Sequence, residues 1–209
     1  MKIGGGKQAA KAQAERVAVI YYPGRVDRKK LSAAVDLTIS RLDFEPTLWL
    51  PTSADEPGGA QSLRAIAQGA THLVVVGGDG TVREVFEAIT QAGVSDRVTV
   101  GIVPGGTGNV LARHLQIDLN DMRSAVKRAI TGNRHPIDLG LARIIYEDDS
   151  RAEKYFAVMA GMGLDAKIMQ KTDPKLKKAF GWVAYIDGGI KALPTIDRKS
   201  TRLNSSHIT

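Results

Sequence analysis

Cysteine is absent from the 209 residues, which excludes a disulfide scaffold, a thiolate-held zinc or iron–sulfur centre and a thiol nucleophile, and suits a reducing cytosol. Long apolar runs are missing as well; nothing approaches the roughly 18 residues of a membrane-spanning helix. The opening stretch, MKIGGGKQAAKAQAER, is polar and has no apolar segment of the kind a secretory signal needs, so a frayed basic tail is expected over 1–16. There is no Walker loop, because Gln8 follows Lys7 where Ser or Thr is required. A dinucleotide fingerprint starting at Gly78 fails at its last position, Arg83. Internal repeats and low-complexity segments are also absent. His72, His114 and His135 share no metal-ligand spacing and are expected at the surface or as caps.

What is present is an ordinary globular composition, 43% hydrophobic and 24% charged, with 29 Lys+Arg against 22 Asp+Glu. The formal charge of +7 suits an anionic partner such as a nucleotide, a nucleic acid or an acidic membrane surface. The last thirteen residues, Asp197–Thr209 (DRKSTRLNSSHIT), lack apolar periodicity and resemble one reading frame of a common sequencing-library adapter. The natural reading frame is therefore expected to end near Ile196, with 197–209 a non-native tail; the basic balance survives its removal.

Between the tails, strand and helix patterns alternate. Apolar runs at Val17–Tyr22, Thr47–Leu50, Leu73–Val76 and Val98–Val103 predict strands. Helical spacing marks residues 28–43, 60–69, 82–89, a segment through Leu115, and 121–130. Because the strands are apolar on both faces, the fold class is α/β, a parallel sheet covered by helices on each side. After Gly132 the pattern changes. Ile137–Tyr146 and Tyr155–Met162 predict an antiparallel hairpin across the loop EDDSRAEK, followed by helices at 165–172 and 180–193. This gives a domain at 17–134 and the start of a β-rich second domain at 135–196.

Two loops carry the chemistry. Gly77-Gly78-Asp79-Gly80-Thr81 and Pro104-Gly105-Gly106-Thr107-Gly108-Asn109 each follow a strand and precede a helix, one βα unit apart. In a parallel sheet both would open on the crevice at the carboxyl ends of the strands. Glycines admit close backbone approach, and the helix N-termini beyond them offer N–H groups to phosphate. Thr81, Thr107 and Asn109 would add neutral donors. Asp79 would repel phosphate unless it holds a cation such as Mg²⁺ or accepts a proton from a substrate hydroxyl.

With Leu111-Ala112-Arg113 after them, these loops resemble the diacylglycerol kinase catalytic domain that bacterial lipid kinases share with sphingosine and ceramide kinases. Pro136-Ile137-Asp138-Leu139-Gly140, Ala160-Gly161-Met162-Gly163-Leu164-Asp165-Ala166 and the stretch Leu176-Lys177-Lys178 to Leu193 extend the resemblance. It implies ATP- and Mg²⁺-dependent phosphoryl transfer to a lipid hydroxyl, between a nucleotide domain and a β-rich sandwich. It further implies that Gly77, Gly78, Asp79, Gly80, Thr81 and Glu84 line the ATP phosphates and metal. Gly105, Gly106, Thr107, Gly108 and Asn109 would face them, with Thr52 at a neighbouring strand end. Asp79 is the residue for metal-linked activation or proton acceptance.

The chain departs from the family pattern at Tyr22, Arg83 and Val158, each where an Asn is usual. The family's late acidic motif, to which the base and part of a metal site are assigned, has no counterpart within these residues, so this chain alone is expected to be inactive. Asp138 and Asp165 read more simply as turn residues. Lys167, Lys171, Lys175, Lys177 and Lys178 form either a solvated helix face or a contact with an anionic membrane, and Trp182 and Tyr185 suit a core or an interface. The partner implied is a lipid at a membrane surface, reached from the cytoplasm at the inner face, with no nucleic acid and with homodimerisation left open. NAD kinase or phosphofructokinase chemistry on a GGDG-type loop, and a non-catalytic nucleotide-binding module, are the rival readings.

Overall fold

The β-branched run ERVAVIY makes β1 (Glu15–Tyr21) one of the two inner strands of a parallel sheet. It is joined by β2 (Phe44–Pro51), β3 (His72–Gly77) and β4 (Thr99–Pro104) in the order β2-β1-β3-β4. A computed structural model describes residues 15–146 and 148–158. The helices are α1 (Arg28–Ile39), α2 (Gly59–Ala67), α3 (Asp79–Gln91), α4 (Val110–His114) and α5 (Met122–Thr131). From β1 the chain moves to β2 on one side, then crosses back to β3 on the other. That reversal places a crevice between the carboxyl ends of β1 and β3.

Both faces of the sheet are buried, which is why its strands lack polar alternation. Val17, Val19, Val74, Val76 and Val103 pack on Leu31, Val35, Val126 and Ile130 of α1 and α5. On the other face Ala18, Ile20, Leu73, Val75 and Ile102 meet Ile66, Val85, Phe86 and Ile89 of α2 and α3. Each fully buried Val, Leu or Ile contributes about 1.5–3 kcal/mol. Asp27 starts α1 by accepting the N–H groups of Lys29 and Lys30 at 3.0 and 3.1 Å, and Asp121 starts α5 through Ser124 N–H at 3.0 Å.

The hairpin is present as β5 (Gly140–Ile145) and β6 (Arg151–Phe156), antiparallel. Its second strand begins four residues before the predicted Tyr155. A tight turn, in which Asp149 N–H donates to Tyr146 O at 3.0 Å and Tyr146 N–H to Ser150 O at 2.9 Å, reverses the chain early. Arg151–Lys154 therefore belong to the strand, and Glu153 pairs with Arg143 at 2.8 Å. β6 packs on α3, where Lys154 lies 3.7 Å from the buried Glu87. The predicted helices at 165–172 and 180–193, the Ala160–Ala166 motif, the lysines of 167–178, Trp182, Tyr185, the tail at 197–209 and residues 1–14 lie outside the described residues, whereas Glu15 and Arg16, expected in the N-terminal tail, open β1.

His72 corrects an expectation. It is only 2% exposed at the amino end of β3, because β3 is central and the Phe44 ring covers the imidazole edge-on at 5.4 Å. Arg134 donates to its Nε2 at 2.9 Å, which leaves Nδ1–H to donate to Thr71 Oγ1 at 3.1 Å. Burial lowers the imidazole pKa below its ordinary 6.5; the Glu15 carboxylate opposes this and the Arg134 charge adds to it. The unfolded chain therefore takes up this proton first. Stability from this group is complete above about pH 6.5 and declines as the pH falls below it. Thermal melts between about pH 8 and about pH 5 should show this decline, and His72→Gln should flatten it; equal slopes in the two proteins would contradict it.

Candidate active site

The two glycine loops meet at the carboxyl end of β3 and β4. Gly105 N–H donates to Gly77 O at 2.9 Å, extending the ladder one step past the strands. Beyond that bond the backbones press together. A Cβ on Gly106 would lie 2.5 Å from Gly78 Cα, so no other residue fits there without a shift. Asn109 locks the second loop from inside, with Oδ1 accepting Gly106 N–H at 2.9 Å and Nδ2 donating to Gly106 O at 2.8 Å. Its left-handed backbone, φ 48°, suits Asn among non-glycine residues. Asn109, expected to add a donor to the site, is buried, and one of its amide N–H groups is used within the loop itself.

Asp79 joins the loops. The glycine motif predicts a loop position for it, but it is the first residue of α3, where a carboxylate complements the helix dipole. Its Oδ1 accepts Val110 N–H at 2.7 Å, with Leu111 N–H further off at 3.4 Å, so it caps α4 from 31 positions away. Oδ2 has no hydrogen-bond partner among the described residues and lies beside Gly108. Arg113 Nε donates to Gly108 O at 2.9 Å, a support that the LAR sequence alone did not mark. The N-cap of α3, Gly78, has no side chain to satisfy the helix's first N–H groups.

Thr81 packs its side chain over Gly77, and Gly80, Thr107 and Gly108 are exposed on the outer side of the loops. Beneath them, between Gly77–Asp79 and Asn109–Ala112, lies a cavity of about 10 Å³, room for one water and no more. That space is too small to take a phosphate group. Thr52 is buried at the end of β2, its N–H donating to Tyr21 O at 2.8 Å. Glu84 sits one turn along α3, paired with Arg83, which also grips Glu87. Arg83, in the place of the usual Asn, is therefore engaged within α3. Tyr22 is exposed over Gly24 in the turn after β1.

Among the described residues no three His, Asp or Glu side chains cluster as a metal cage. One carboxylate with one free oxygen is nevertheless a donor set that fits Mg²⁺, which commonly binds through one or two carboxylates together with substrate phosphates.

A parallel α/β domain whose strand ends carry two packed glycine loops, each leading into a helix, is the class that this arrangement defines. The diacylglycerol kinase catalytic domain matches residues 25–142, and the chain belongs to that family. It is 30% identical over 184 residues to a diacylglycerol kinase of Bacillus subtilis, covering 87% of this chain and 57% of that protein. It is 31% identical over 164 residues to a YegS-like protein of Serratia proteamaculans assigned as a lipid kinase, covering 78% of this chain and 51% of that one. A Bacillus anthracis structure assigned to the diacylglycerol kinases superposes with a TM-score of 0.61 at 23% identity, over 92% of this chain and 59% of that one, and shares the fold. The chain thus spans between half and three-fifths of the length of these relatives.

Proposed function

We propose that the protein is an ATP- and Mg²⁺-dependent kinase that phosphorylates a lipid hydroxyl, with diacylglycerol the first candidate acceptor. The observation that carries this reading is the face-to-face packing of Gly78 and Gly106 beside the N-terminus of α3, whose N-cap, Gly78, offers no side chain to its first N–H groups. With no cap side chain on Gly78, the first N–H groups of α3 stay available, which suits a polyphosphate once a cation offsets the Asp79 carboxylate in the same turn. Thr81 and Thr107 add hydroxyls at its border. Mg²⁺ held by Asp79 Oδ2 would supply neutralisation of phosphate charge. Phosphoryl transfer asks a protein mainly for positioning and electrostatic stabilisation, and rigidly tied loops provide the first.

The acceptor would be met at the inner face of a membrane, from the cytoplasmic side. No helix among the described residues is long and apolar enough to cross one. ATP labelled in its γ-phosphate, offered to the full-length protein with diacylglycerol micelles or with NAD⁺, tests the assignment. Label in phosphatidic acid is expected. Label in NADP⁺ with none in lipid would replace it with the small-molecule kinase reading, and binding of ATP without transfer to either would leave a nucleotide-binding module.

A further inference from the structure

A third loop borders the crevice, and one buried amide sets its shape. Residues 51–59 run from the end of β2 to the start of α2. Thr52 N–H fastens its beginning to Tyr21 O of β1 at 2.8 Å. At its other end Gly58 and Gly59 seat against Thr81 and Glu84 of α3; a Cβ on Gly58 would lie 3.1 Å from Thr81 Cγ2, and one on Gly59 3.3 Å from Glu84 O. The loop therefore bridges the end of β1 to the helix turn that carries the first glycine motif. Between those ends it closes on itself, Ser53 N–H donating to Glu56 O at 3.1 Å and Glu56 N–H to Ser53 Oγ at 3.0 Å.

Gln61 lies beneath this loop in the first turn of α2, only 1% exposed. Its Nε2 donates to Pro51 O at 3.1 Å and to Glu56 O at 3.0 Å. Two carbonyl acceptors fix which way the amide points, since its oxygen would be repelled there. The other end of the amide, Oε1, is buried with no hydrogen-bond partner. A buried acceptor left unpaired is unfavourable. A hydrocarbon side chain of similar size would fill the same space without it. What only the amide adds is a pair of donors that fixes two carbonyls five residues apart, one of them immediately before Thr52.

We infer that Gln61 is a positioning residue for nucleotide binding: by clamping Pro51 and Glu56 it holds Thr52 and the 51–59 loop against the first turn of α3. The inference rests on the nucleotide reading of the glycine crevice and extends it to a wall that the glycine motifs do not include. Gln61→Met keeps the volume and removes the donors. Gln61→Glu keeps the shape and sets a carboxylate oxygen against the carbonyls.

MgATP affinity of the full-length protein, measured by calorimetry for wild type, Q61M, Q61E, T52V and Q61M/T52V, is the test, with amide exchange over 51–56 read in parallel. Faster exchange in the loop and affinity weakened about tenfold are expected for Q61M. T52V keeps the backbone bond to Tyr21 and removes only the hydroxyl that Gln61 is inferred to hold at the site, so in that background the same change should have little further effect. Wild-type affinity in a folded Q61M with a loosened loop would overturn the inference while leaving the nucleotide reading intact. So would additive losses in the double variant, which would mean a general loss of stability. If Q61M does not fold, Q61E answers the same question in the same two readouts. Failure of the wild-type protein itself to bind MgATP would overturn the underlying reading and the inference with it.

Discussion

Asp79→Asn in the full-length protein is expected to lower kinase turnover by about 10²–10⁴-fold, the range for loss of a positioned acid–base or metal-linked group, with little change in melting temperature. The two halves of that expectation have different origins. Val110 N–H is held by Oδ1 at 2.7 Å, and an asparagine oxygen can accept the same bond. Oδ2, the oxygen without a protein partner, is where the charge is needed, and there the substitution places an amide nitrogen. Asp79→Ala removes both functions and should also cost about 0.5–2 kcal/mol as a lost helix cap. Melting curves and turnover of the two variants side by side separate the roles. Full turnover in Asp79→Asn would remove the carboxylate from the chemistry, and equal destabilisation in both would show that the α4 cap is not the structural anchor.

Within the two glycine loops, Gly106→Ala should be the most damaging change of a single methyl group. Its new carbon would stand 2.5 Å from Gly78 Cα and 3.0 Å from Asn109 Oδ1, so the two loops must part or Asn109 must release its grip. Overpacking of this kind costs about 1–3 kcal/mol. Separation of the loops should weaken ATP binding as well, by about tenfold or more for each 1.4 kcal/mol of lost contact. Gly80→Ala is the informative contrast. It has open space around it and a helical position, so its melting temperature should stay level or rise. A Gly106→Ala protein that melts and binds ATP like the parent would show that the close approach is not required.

Much of this arrangement was readable in the sequence because the strands are continuous apolar runs and each glycine loop directly follows one. The four-strand parallel sheet and its helices needed only that period. Other features were hidden for physical reasons. β6 is mostly polar on its exposed faces, so RAEK read as loop when it is strand. His72 looked peripheral because one residue at a strand's start does not reveal how deeply its neighbours bury it. Asp79's bond to Val110 spans 31 positions, and Gln61's bonds to Pro51 and Glu56 arise from how a helix is laid under a loop. Contacts of that kind are made by the fold, and no local pattern announces them. The motif shows that Asn109 brings an amide to the loop, but not that it turns inward to bind Gly106.

The contact between Gly78 and Gly106 also sets how this crevice can be damaged. Its working surface is main chain, which every residue possesses, so trimming side chains to alanine will pass over most of it. Such a surface is spoiled by what is added: a methyl at any tight glycine closes it. Scanning with larger residues is therefore the way to trace its outline.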